Sequence, residues 1–191
     1  MRLLKGFFSC LLLITTINSC LPPPPPASCS SPSGNMICFD GNTYPLNLSN
    51  CNISATYDTS NYNVAYHYMV VSFYYPATAS DPNNSFNAGI HVFSYGSLNP
   101  QVGTYSSVAG VYNPAYSLNT PGAKQFVLNP FAGLINGSSM SFNYDTALSN
   151  TFVITNVNVN LISGHYEGQV RNASVYSDVR ELKIYFEDFS L

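Results

Sequence analysis

The chain has no tryptophan, only three histidines and few charges, since Lys, Arg, Asp and Glu make up 8% of its 191 residues. Each shortage excludes something. Nucleic-acid binding needs clustered Lys and Arg to displace counterions from phosphates, and the six basic residues, scattered from Arg2 to Lys183, form no such patch. The same scarcity removes a polybasic contact with anionic lipid. A phosphate-cradling GxxxxGK loop, a dinucleotide GxGxxG, an HExxH zinc helix, a GxSxG elbow and a CxxC pair are all missing. His67, His91 and His165 fall in separate predicted strands, so their spacing supplies no zinc-ligand pattern. A two-carboxylate glycosidase needs its acid pair ~5 to 9.5 Å apart across a cleft, and nothing in the placement of nine acidic residues nominates such a pair. Asp81-Pro82-Asn83-Asn84-Ser85 is not a calcium loop, because Phe86 stands where glycine is required and Val92 where the bidentate glutamate belongs. It reads as an Asx-rich turn. No catalytic residue, metal site or cofactor is expected.

What is abundant is strand chemistry. Fifteen tyrosines and twelve phenylalanines accompany many Asn, Ser and Thr, and aromatic and β-branched residues favour pleated, half-buried surfaces. Short runs of this kind recur between turn signals with no long 3.6-residue period. Met36–Phe39 leads into Asp40-Gly41, a hairpin signal, with Thr43–Leu46 returning. Further strands are predicted at Ile53–Tyr57, Val64–Tyr75, Gly89–Tyr95, Val102–Tyr105, Lys124–Leu128 and Ser139–Tyr144. Thr151–Leu161 alternates Val157, Val159 and Leu161 with Asn156, Asn158 and Asn160; Ser163-Gly164 is the expected turn and His165–Val170 the return. Val179–Phe186 completes the set, with Leu182, Ile184 and Phe186 inward, a single short helix being the alternative there. The expected fold is all-β, an antiparallel β-sandwich or barrel-like domain of about 8–10 strands.

The N-terminal segment has a different character. Arg2 and Lys5 precede the apolar Gly6–Ile14, the order of an export signal, and the apolar stretch is far shorter than the ~20 residues a spanning helix needs. Ile17-Asn18-Ser19-Cys20 then resembles the lipobox of a bacterial lipoprotein, whose cysteine becomes the lipidated first residue. The resemblance implies a signal peptide over 1–19, a lipid on Cys20, a Pro/Ser-rich tether over 20–34 and a single β domain over 35–191. Pro22–Pro26 would form a stiff polyproline spacer of ~15 Å. Without Arg2 and Lys5, the remaining Lys124, Arg171, Arg180 and Lys183 face nine acidic residues, a net charge of −5.

A second resemblance lies near the end. Val153-Ile154-Thr155, Ile162-Ser163-Gly164-His165-Tyr166 and Gly168, with Gly103-Thr104-Tyr105 upstream, are similar to small secreted lipoproteins of Bacteroidetes. That likeness implies a β-sandwich or barrel-like domain and brings no activity with it. It also implies an outer-membrane location, periplasm-facing, because the acidic residues associated with surface export in such bacteria are missing from Leu21–Ser33.

With Cys10 lost with the signal and Cys20 lipidated, Cys29, Cys38 and Cys51 remain, an odd number in an oxidising compartment. Three pairings, or free thiols, are open; Cys38 with Cys51 is favoured, and closing that short loop would contribute about 3 kcal/mol. The expected function is a lipid-anchored, non-catalytic binding or structural module of the cell envelope, with the membrane and a glycan or envelope protein as partners and no nucleic acid. The alternative is a dedicated glycan-binding module, since tyrosine faces stack on sugar rings and amides read hydroxyls; a hydrolase is the remaining class. The long connection Ser106–Gly122 is a functional candidate by its length, with Tyr112 and Tyr116 as its ligand-contacting aromatics.

Overall fold

A computed structural model describes residues 34–58, 66–95, 100–108 and 124–190. They form twelve strands: β1 (Met36–Phe39), β2 (Asn42–Pro45), β3 (Asn52–Asp58), β4 (Tyr66–Tyr75), β5 (Ser85–Tyr95), β6 (Gly103–Ser107), β7 (Lys124–Leu128), β8 (Phe131–Ile135), β9 (Ser138–Tyr144), β10 (Asn150–Asn158), β11 (Leu161–Asn172) and β12 (Val179–Ser190). The all-β expectation holds, with more strands than anticipated. A single 3₁₀ turn, Leu48–Asn50, joins β2 to β3 and is capped by Asn47, whose side chain accepts the Ser49 N–H. Asp40 and Gly41 have φ of 50° and 80°, the paired positive values a type I′ hairpin requires. Asn136-Gly137 repeats the device between β8 and β9, with φ of 52° and 77°.

All strands belong to one 12-stranded sheet, ordered β10-β6-β7-β5-β8-β9-β11-β12-β1-β2, with β3 and β4 branching from β5. A further β10–β11 pairing closes the path β5–β8–β9–β11–β10–β6–β7–β5 into a ring. Every pairing is antiparallel except β6 with β7, which is parallel. The sheet therefore folds over on itself, and among the described residues β2 and β3 are each paired on one edge only. It is layered like a sandwich and closed like part of a barrel. Aromatic rings fill the space between the layers, with ring centres 5.6 Å apart for Phe73 and Phe186, 4.7 Å for Tyr44 and Phe86, and 4.8 Å for Phe39 and Phe131. Phe126, Phe142, Phe152, Tyr166 and Leu182 are fully buried in the same core. Burying aromatics of this size supplies the main folding drive in a chain with so few charges.

The end of the chain departs from expectation in one instructive way. The hairpin turn falls at Val159-Asn160 rather than at Ser163-Gly164, and β11 runs straight through the Ile-Ser-Gly step. The register slips between Ile154 and Asn156 on β10, which moves the core-facing phase from Phe152 and Ile154 to Val157, and Val159, expected on a buried face, is 90% exposed because it sits in the turn itself. Ser163 faces a second irregularity, where β12 bends at Asp188 (φ 52°) and the Asp188 N–H donates to Ser163 Oγ at 3.0 Å. Gly164 is needed because β10 passes so close: a Cβ there would lie 2.2 Å from the Val153 carbonyl oxygen and 2.9 Å from the Phe186 ring. The Gly103-Thr104-Tyr105 segment pairs with Phe152, Val153 and Ile154, so the motifs behind the second resemblance occupy three adjacent strands. Tyr105 is buried, and its hydroxyl donates to the Gln101 carbonyl at 2.7 Å while accepting the Gln101 N–H at 3.1 Å.

Gly164→Ala should destabilise the domain by about 2–3 kcal/mol, since backbone rather than a flexible side chain must yield. Val159→Asn, at an exposed β-branched residue with φ 26°, should be neutral or raise stability by up to about 1 kcal/mol. Urea unfolding of both variants checks the pair, and a tolerant Gly164→Ala would refute the close-approach argument.

Candidate binding groove

The site is built where β9 and β11 end together. Tyr144 pairs with Val170 and Asn143 with Arg171, after which the chain leaves β9 through Asp145 and leaves β11 through Asn172. Between them lies an open groove of about 330 Å³ lined by Asn143, Tyr144, Asp145, Thr146, Arg171, Asn172, Ala173 and Tyr176. The core reaches up to hold it. Tyr166, fully buried, donates its hydroxyl to Asn150 Oδ1 at 2.6 Å, and Asn150 Nδ2 donates to the carbonyls of Asp145 (2.9 Å) and Leu148 (3.0 Å). Gly168 makes room for that hydrogen bond, since a Cβ there would lie 2.3 Å from Asn150 Oδ1 and 2.6 Å from the Tyr166 hydroxyl.

Arg171 organises the groove itself. Its Nε donates to Asp145 Oδ2 at 2.9 Å, its Nη1 donates to the Tyr176 carbonyl, and its guanidinium carbon sits 4.0 Å above the centre of the Tyr176 ring. The other face of that ring is open, and Tyr176 is 78% exposed. An exposed aromatic ordinarily swings freely; this one is clamped at its backbone and covered on one face. Asn172 stiffens the same loop, its Oδ1 accepting the N–H groups of Ser174 and Val175 and its Nδ2 donating to Asp178 Oδ2. Arg180 closes the far side through Asp178 Oδ1 at 2.6 Å and through Asp40.

The electrostatics follow from these contacts. The Ala147 N–H, and then the Arg171 side chain, hold the Asp145 carboxyl below its ordinary 3.8. Burial works against ionised Asp178, yet its hydrogen bonds from Arg180 and Asn172 outweigh that and lower it as well. The groove is thus paired rather than charged, because its arginine is neutralised by its aspartate.

The residues singled out from sequence are dispersed. Cys20, Tyr112 and Tyr116 lie outside the described residues, as does the segment read as a signal and tether. His91 meets Tyr68, whose hydroxyl oxygen is 2.6 Å from Nδ1, and burial pushes the imidazole below its ordinary value despite a hydrogen bond with Asn129. His165 stacks on Tyr185, whose hydroxyl donates to Glu167. Among the described residues no group of three His, Cys, Asp or Glu is placed to hold a metal ion. Asp81 is engaged by Tyr75 at 3.0 Å and Asn84 at 2.8 Å, as an Asx-rich turn would have it.

The Cys38–Cys51 bridge is not formed. Cys38 is disulfide-bonded, whereas Cys51 is a free thiol. The reason is the two-residue alternation of a strand. Ile37 and Phe39 point into the core, which places Cys38, itself fully buried, on the opposite face of β1, in register with Thr43 and Lys183. Cys51 instead packs against the core cluster, on the opposite side of the layer, with its thiol directed at the Asn47 carbonyl. Burial pushes that thiol above its ordinary value.

No protein-family model, curated protein or solved structure matches the chain. The groove must be read from its own geometry. Sequence reasoning missed Arg171, Tyr176 and Asp145, although one signal was present: apart from Arg2, both arginines bracket the segment 172–179.

Asp145 also sets a pH test. Its depressed value means that the Arg171 contact is fully present above the ordinary carboxylate range and is lost as pH falls through the lowered value. The Arg171 Hε resonance should stay constant from pH 7 to about 4 and move only below that, and Asp145→Asn should abolish the transition. Titration of Hε near or above the ordinary value would contradict the pairing. For the cysteines, alkylating the denatured, unreduced protein should label Cys51 and leave Cys38 untouched until a reductant is added, as read by peptide mass.

Proposed function

We propose that the protein is a lipid-anchored, non-catalytic binding module of the cell envelope, held through Cys20 and facing the periplasm from the outer membrane. The observation that carries the binding part is Tyr176. Among the described residues it is the most exposed aromatic, 78% against 47% for Tyr74, and two arginines, an asparagine and three aspartates hold the loop that carries it beside an open groove. Rigid aromatics flanked by polar side chains are the usual anchors of recognition surfaces, because little conformational entropy is lost when they bind. The lipobox resemblance and proline run support the anchored placement; two or more acyl chains on one residue hold a protein stably on a bilayer where one does so only marginally. The Bacteroidetes-like motifs support the same setting, and the ligand is a glycan or a protein of the envelope.

Two measurements test this reading. Labelled palmitate should enter the full chain in a lipoprotein-processing bacterium and be absent from Cys20→Ser. A photo-crosslinking residue in place of Thr146 should trap an envelope component in intact cells, and Tyr176→Ala should abolish the adduct at unchanged thermal stability. Without any Tyr176-dependent adduct the binding role fails. A hydrolytic activity eliminated by a single substitution would replace it with an enzyme.

A further inference from the structure

Resting on that binding role, we infer that the ligand class is an uncharged carbohydrate, with one sugar ring stacked on the open face of Tyr176. Four features of the groove select it. First, Arg171 covers one face of the ring and leaves the other as a flat platform, the shape that receives the apolar C–H face of a pyranose. Second, Asn143 and Thr146 line the same groove and are exposed, and amides and hydroxyls both donate and accept, as recognition of sugar hydroxyls requires. Third, the volume of about 330 Å³ lies at the small end of ligand sites, which run from ~300 to 1,000 Å³. Fourth, the loop is already held by Arg171, Asn172 and Arg180, so a weakly interacting neutral ligand need not bear its ordering cost.

The same geometry disfavours the other occupants. An extended peptide gains affinity by adding to a free strand edge, whereas β11 at the groove is bonded to β9 on one edge and to β12 on the other, and β9 runs past its β8 partner by Asn143 and Tyr144 alone, too short a stretch for a strand to add. Among the described residues β2 and β3 are each paired on one edge only, and neither lines the groove. A polyanionic glycan would meet an arginine already neutralised by Asp145 in a chain of formal charge −3.

The test uses the full chain in detergent, labelled with ¹⁵N and titrated with cellotetraose, chitotetraose, maltotetraose and, as the polyanion, polygalacturonate. At least one neutral tetrasaccharide should shift the amides of residues 172–178 and the Arg171 Hε. Tyr176→Ala should weaken that binding about tenfold or more, corresponding to roughly 1.4 kcal/mol, while Tyr176→Phe should stay within about threefold. Tyr74→Ala, an exposed tyrosine on β4, should change nothing. Equal affinity in Tyr176→Ala, or tighter binding of polygalacturonate than of any neutral sugar, overturns the inference. Should no neutral sugar bind while the Thr146 adduct persists, the carbohydrate assignment falls alone; should the adduct be absent too, the binding role falls with it.

Discussion

The divided edge of β11 is the constraint on which the rest of the molecule depends. One edge is bonded to β12 along most of its length, while the other is shared, with β10 occupying Leu161–Gly168 and β9 occupying Val170–Asn172. A strand with two partners on one edge forces those partners apart, and the sheet must fold to accommodate both. β5 does the same from the opposite layer, sharing an edge between β8 and β7. Two divided edges linked through β6 and through the β8–β9 hairpin produce the ring. The handover on β11 occurs at Gln169, whose N–H donates to the Ser149 carbonyl at 3.2 Å, and Asn150 fills the gap by hydrogen bonding to Tyr166 and to the Asp145 loop. The groove is thus a consequence of the fold: it opens where one partner strand has ended and the next turns away.

Much of this architecture was legible because it is local. Asp40-Gly41 demands a type I′ turn, and the alternation of Leu182, Ile184 and Phe186 marks an inward face, so β1, β2 and β12 could be read directly. Lys124–Leu128 was found with its observed bounds. What failed was information held between strands. β8 went unseen because Ala132 and Gly133 interrupt its apolar pattern, although Asn136-Gly137 behind it carries the same turn chemistry as Asp40-Gly41. The β10–β11 turn was misplaced because Gly164 looks like turn chemistry, whereas its missing side chain serves a close crossing with Val153 that no local pattern records. Val159 at the real turn carries no signal at all, since a β-branched residue is unfavourable at positive φ.

The cysteines illustrate the same limit. Position favoured Cys38 with Cys51, since both lie where the folded domain begins and Cys29 lies in the tether, and the separation of about a dozen residues satisfied the loop-closure argument. Orientation decided otherwise: a bridge needs both Cβ vectors to converge, and Cys38 points away from the core cluster against which Cys51 packs.

Charge explains why the groove eluded sequence reading while being conspicuous in space. A cluster of ionised groups announces itself in composition, but an ion pair that cancels does not. In most proteins an isolated exposed pair is worth little, because two long side chains lose entropy to meet in water. Arg171 differs in that a single planar guanidinium serves three partners at once, the Asp145 carboxylate, the Tyr176 carbonyl and the Tyr176 ring, so one loss of side-chain freedom is set against three contacts. Asp145 is itself fixed beforehand by the Ala147 N–H and by Asn150, and Asn150 by buried Tyr166. Rigidity therefore passes outward from the aromatic core through neutral hydrogen bonds to one ion pair and then to one exposed ring. Removing any earlier link should loosen Tyr176 without touching it, which makes the groove a product of the core rather than an ornament on its surface.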